Sequence, residues 1–139
     1  MTHFKPMKAI LALLFLCALP ALSTSGEEKP FTATTGPEGV QRVEITGGSY
    51  YFKPDHIIVK VNVPVELVVK KARTLTPHNF VMHSPGAGMD FNVKLGAEPK
   101  SIRFTPVKTG KYEFYCDKKL LFFPSHKSQG MRGTLEVTE

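Results

Sequence analysis

From Val40 to Val137 the chain runs in short stretches of β-type composition, each closed by turn-forming residues. Val40–Thr46 stops at Gly47-Gly48, Tyr50–Lys53 stops at Pro54-Asp55, and Ile57–Val61 and Val65–Lys70 flank Asn62-Val63-Pro64. His78–Met82 runs into Ser84-Pro85-Gly86, and Phe91–Leu95, Ser101–Phe104, Lys111–Tyr115 and Arg132–Val137 complete the series. Side chains of a strand alternate between two faces, so Phe80 and Met82 share a face with His78, and Tyr112 and Phe114 share one with Cys116. No helical periodicity of useful length occurs in this region. Short strands with regular turn signals predict an all-β fold, a sandwich or barrel of about eight strands.

The first part of the chain reads differently. Lys5 and Lys8 precede an apolar run from Ala9 to Leu19, followed by Pro20 and the small residues Ala21 and Ser23. That is the layout of a secretory signal peptide over residues 1–23. The run is shorter than the roughly 20 apolar residues a membrane-spanning helix needs. Leu16 before Cys17 argues against a lipid anchor. Residues 24–39, rich in Thr, Gly, Glu and Pro, read as a flexible lead-in with an edge strand near Phe31–Thr34. Residues 40–139 are then the folded domain, long enough for one core.

Cleavage of the leader changes two quantities. Of two cysteines only Cys116 remains, an odd count for an exported protein. The net charge of +6 falls to +4 with the loss of Lys5 and Lys8. A mild positive charge at an exported location suits an acidic protein partner or an anionic membrane surface. The basic residues are scattered, which speaks against nucleic acid.

Four side chains carry candidate chemistry. Cys116 ends the Tyr112–Tyr115 strand, His126 and Met131 follow in the next loop, and His78 lies upstream in Pro77-His78-Asn79-Phe80. Thiolate and thioether are soft donors and imidazole serves both copper oxidation states, so the set suits copper. Each residue taken singly has a plainer reading: a buried free thiol, a satisfied core histidine, a core methionine. Met82, His83 and Met89 offer a weaker second soft cluster, Asp117 is a nearby oxygen donor, and His56 in its turn reads as a surface residue.

Two blocks resemble the cupredoxin family, and plastocyanin-like blue copper proteins in particular. One is Pro77-His78-Asn79-Phe80-Val81. The other is Gly110-Lys111-Tyr112-Glu113-Phe114-Tyr115-Cys116, followed by His126 and Gly130-Met131-Arg132-Gly133. The resemblance implies a Greek-key sandwich holding one copper ion, with His78, Cys116 and His126 as ligands and Met131 as the weak axial one. It implies that Asn79 ties the two ligand-bearing segments together. It also implies a periplasmic one-electron carrier that is monomeric and is not an enzyme. The alternative is a module that delivers or buffers copper. The chain departs from the pattern in one place: nine residues separate Cys116 from His126, where two to four are usual. The inserted Leu120-Leu121-Phe122-Phe123 predicts either an extra layer of core or, as the resemblance implies, a docking surface for a protein redox partner beside His126.

Overall fold

The computed structural model describes Met1 and residues 29–139. The expected leader, with Cys17, lies outside the described residues. Eleven strands form among them: β1 (Phe31–Thr32), β2 (Thr34–Thr35), β3 (Gln41–Gly48), β4 (Tyr51–Lys53), β5 (His56–Lys60), β6 (Val65–Lys71), β7 (Asn79–Ser84), β8 (Met89–Lys94), β9 (Lys100–Phe104), β10 (Gly110–Tyr115) and β11 (Arg132–Thr138). The sequence pattern predicts about eight. The Tyr50–Lys53 stretch is β4, and the edge strand expected near Phe31–Thr34 is present as two strands of two residues. The segment read as a lead-in supplies both of these: β1 runs parallel to β5 and β2 antiparallel to β3.

Two sheets result. One has the order β1-β5-β11-β10-β7-β8; the other is β2-β3-β6-β9, with β4 also on β3. The predicted alternation is visible in β3, where Val43 and Ile45 are buried and Arg42 and Glu44 are exposed. Val43, Ile45, Leu67 and Val69 from one sheet meet Ile57, Val59, Leu135 and Val137 from the other.

Toward one end the core becomes aromatic. Phe80 stacks on Phe114 at 4.9 Å between ring centres, and Phe52 meets both edge-on at 5.3 and 5.5 Å. Such ring pairs contribute about 0.5–1.5 kcal/mol beyond area burial. Strand alternation ties this cluster to the candidate site, because Phe80 stands two residues after His78 and Phe114 two residues before Cys116. Gly133 pairs with Phe114 across β11 and β10. A Cβ there would collide with the Phe114 ring and the Asp55 carbonyl, so the bulky ring requires a glycine opposite it.

On the outer face of the second sheet, the register sets Arg42, Glu66 and Arg103 side by side on β3, β6 and β9. Glu66 accepts from Arg42 Nη1 at 2.9 Å and from Arg103 Nε and Nη2 at 3.1 and 3.0 Å. Its pKa is held below the ordinary carboxylate value, first by the Arg103 hydrogen bonds and then by Ser101. A depressed carboxylate stabilises the fold above its unfolded pKa and loses that contribution as pH falls through the folded one. Glu66→Gln should therefore lower the thermal midpoint at pH 7, and the gap from wild type should close in acid. Thermal unfolding across that range checks this; a gap that stays constant would rule the ion triad out.

Candidate metal centre

Three donors converge at the aromatic end. Cys116 follows β10, His78 immediately precedes β7, and His126 lies in the loop between β10 and β11. Cys116 and His78 are fully buried and His126 is 2 % exposed. Cys116 Sγ lies 3.4 Å from His126 Nδ1 and 3.9 Å from His78 Nδ1, and the two Nδ1 atoms are 3.1 Å apart. A triangle with those sides has a circumradius of about 2.0 Å, the length of a metal–nitrogen bond to histidine and slightly under one to thiolate. One ion therefore fits between all three.

The protonation chemistry agrees. Burial pushes His78 down to about 4, with the neighbouring His126 and Lys71 adding to the shift, and burial lowers His126 as well. Both rings are thus neutral at pH 7 and able to donate a lone pair. Burial raises the Cys116 thiol, opposed by the backbone amides of Asn79 and Lys118 that point at the sulfur. A cation would reverse that balance and hold the thiolate. Without one, the facing Nδ1 atoms can share only a single proton, and His78 Nε2 is buried with no partner. An ion accepting both Nδ1 lone pairs and the sulfur's satisfies all three together. The cluster of His78, Cys116 and His126 is suited to one copper ion.

Met131 is fully buried beside this cluster. Its amide donates to the His126 carbonyl at 2.9 Å and its carbonyl accepts from the Cys116 amide at 3.0 Å, so the backbone ties it to both. Gly130 before it has φ +103°, a conformation open mainly to glycine. Gly47 of β3 leaves room for the methionine tip: a Cβ there would lie 3.2 Å from Met131 Cε and closer still to Leu95.

Asn79 joins the two ligand-bearing segments, as the resemblance implies. Its amide NH2 donates to Asp117 Oδ1 and Asn92 Oδ1, both at 2.8 Å, and its Oδ1 accepts from the Asp117 amide at 3.1 Å. Its own backbone N–H lies 3.5 Å from Cys116 Sγ. The β7/β10 register, Phe114 with Met82 and Tyr115 with Val81, continues to put Asp117 opposite Asn79. Asp117 is thereby engaged as a partner of Asn79 and stands outside the donor cluster.

The long ligand loop is closed at its base. The His126 amide donates to the Lys118 carbonyl at 2.8 Å, so residues 119–125 leave and return at one point. The insertion hangs off the site and does not open it. Within it a turn closes from Phe123 N to Leu120 O at 2.9 Å, and Leu121 adopts φ +48°. Leu120, Leu121, Phe122 and Phe123 are 49, 75, 98 and 61 % exposed. Of the two expectations for this segment, the core layer is thus overturned: no described residue covers it.

Other expectations are also corrected. His83 points to solvent and pairs with Asp90 at 2.8 Å, whereas Met82 and Met89 are fully buried, so these three form no second soft site. His56 is half-buried, its Nε2 2.9 Å from Glu136 Oε2. Tyr50 carries no sequence signal for a role at the site, yet its ring meets His126 edge-on at 5.2 Å. With Leu120, Phe123, Pro124 and Gln129 it lines a recess of ≈ 130 Å³ against the outer edge of His126.

The model of the cupredoxin-like domain matches residues 8–135. Among solved structures, the metal binding domain of the Cu(I)-exporting P-type ATPase CopA of Streptococcus pneumoniae D39, with Cu(I), aligns at TM-score 0.62 and 23% identity, covering 82% of this chain and 100% of that one. Auracyanin A, a "blue" copper protein from Chloroflexus aurantiacus, aligns at TM-score 0.53 and 20% identity over 72% of this chain and 100% of its own. The periplasmic domain of cytochrome oxidase subunit II (CoxB) of Bradyrhizobium japonicum aligns at TM-score 0.55 and 17% identity over 70% and 83%. At these identities the likeness is one of fold. Curated protein sequences contain no significant match.

Asn79→Ala should remove the bridge; the exposed Asp117 and Asn92 acceptors regain water, so the cost is the net worth of the lost bonds, about 0.5–1.5 kcal/mol each. Denaturant unfolding of the metal-free protein measures it. A loss within error of zero would show that the two ligand segments are held by something else.

Proposed function

The chain belongs to the cupredoxin-like domain family, and from that premise we propose that it is an exported, mononuclear type 1 copper protein that carries single electrons between redox partners. The observation that carries this reading is the buried convergence of His78 Nδ1, Cys116 Sγ and His126 Nδ1 around a point that suits one ion. Copper supplies the one-electron couple between Cu(II) and Cu(I). His78, Cys116 and His126 would hold it, and the buried Met131 would supply a fourth, weak thioether donor. The chain's own part is to fix these donors. The Asn79 bridge, the aromatic cluster beneath and the closed loop base resist rearrangement, and little rearrangement on gaining or losing an electron is what a carrier requires. The buried donors have no open position for a substrate, which supports a carrier over an enzyme.

Export to the periplasm is supported by the leader pattern of residues 1–23, and no helix among the described residues is long and apolar enough to cross a membrane. The carrier acts as a monomer. Its protein partner docks over the recess that His126 lines, where the surface reaches one of the three converging donors. The competing reading, copper delivery or buffering, draws on the fold shared with the Cu(I)-loaded exporter domain. It demands a metal that exchanges readily, and the burial of all four side chains opposes that.

Cys116→Ser should abolish an intense visible thiolate-to-copper band while leaving a folded β-domain by circular dichroism; survival of the band would end the assignment. Met131→Leu should keep copper bound and raise the reduction potential, because a donor that stabilises Cu(II) is lost, and Met131→Gln should lower it, because amide oxygen is harder. Voltammetry reads both, and an unmoved potential makes Met131 a core residue only. Removal of Cu(I) by a competing chelator should be slow compared with electron exchange; rapid removal favours delivery.

A further inference from the structure

Outside the donor cluster, the most exposed large apolar side chains between residues 29 and 139 are Leu75 at 104 %, Phe122 at 98 % and Leu121 at 75 %. They belong to two different loops at one end of the sandwich. Leu75 lies in the connection from β6 to His78, and Leu121 and Phe122 head the excursion that returns to His126. Since the two Nδ1 atoms are 3.1 Å apart, both loops flank the same site. Solvent-facing turns ordinarily carry Gly, Asn, Asp or Pro, and a leucine at φ +48° is unfavourable as well as water-exposed. Such an arrangement is stabilised when something apolar receives it.

The surrounding charges indicate what does. Lys71 ends β6, Arg73 sits on the Leu75 loop, and Lys118 and Lys119 precede Leu120. Of the acids at this end, Asp117 is engaged with Asn79 and, at 3.9 Å, Lys118, and Glu113 with Lys127, while Glu98 is exposed in the loop whose Gly96 accepts from the Lys71 amide. A basic surplus therefore accompanies the apolar residues of the two loops. Protein interfaces are depleted in lysine. A lipid surface takes up protruding apolar side chains and receives Lys and Arg at its headgroups.

We propose that Leu75, Leu121 and Phe122 insert into an anionic phospholipid surface, with Lys71, Arg73, Lys118 and Lys119 on the headgroups. His126 and its recess then face the membrane, which deepens the reading above by making the redox partner a membrane-embedded one. Lipid binding itself needs no copper, so the two readings can fail separately.

The test is co-sedimentation of the copper-loaded chain, recovered after export, with vesicles of phosphatidylcholine containing about one third phosphatidylglycerol. Wild type should pellet with them, less so in pure phosphatidylcholine and less so in high salt. The triple variant Leu75→Ser/Leu121→Ser/Phe122→Ser should bind at least about tenfold more weakly with an unchanged visible spectrum, since all three residues are exposed. Wild type remaining in the supernatant, or the variant pelleting equally, overturns the proposal. If wild type ignores vesicles while the variant exchanges electrons more slowly with a soluble protein, the surface is a protein contact and the proposal is wrong. Loss of the thiolate-to-copper band with vesicle binding intact would remove the carrier reading and leave this one standing.

Discussion

Three lone pairs brought to one dry point are the constraint on which the rest of the structure depends. Cys116, His78 and His126 are withdrawn from water, and burial keeps the imidazoles neutral and the thiol protonated. Buried polar atoms without full partners cost on the order of 1–3 kcal/mol each, and His78 Nε2 is one. The domain maintains the arrangement because everything beneath it is already paired and packed. Phe80 and Phe114 fix the strands that lead to His78 and Cys116, and Asn79 spans the gap between them. The Cys116–Met131 and Met131–His126 backbone bonds bind the loop to the same frame.

This arrangement gives the two ends of the long loop and its middle separate tasks. The ligand geometry depends on the ends of the loop, where Lys118 and His126 are hydrogen-bonded. The residues between those ends are free to vary in length and character. Apolar side chains therefore project from the excursion, next to the buried His126, without loosening the site. Burial of the donors and exposure of the loop tip are two sides of one division of labour.

Much of this was legible in the residues. Alternation along Tyr112-Glu113-Phe114-Tyr115-Cys116 turns the thiol to the core, and the same period connects His78 with Phe80 and Met82. Donor chemistry then restricts the metal. What stayed hidden depends on contacts distant in sequence. The partnership of His56 with Glu136 spans most of the domain. Asn92 as the second acceptor for Asn79 requires knowing the β7/β8 register. Leu120-Leu121-Phe122-Phe123 was ambiguous for a different reason: apolarity says that a segment gains by leaving water, and says nothing of whether its own domain provides the cover.

The central claim is that one copper ion binds to the Cys116 thiolate between two imidazoles. Titrating the metal-free protein with Cu(II), followed by absorption and electron-spin resonance together, tests it most directly. An intense thiolate-to-copper band should grow linearly and stop at a single equivalent, with one resonance signal. Weak bands without thiolate character, or uptake with no end point at one ion per chain, would contradict it.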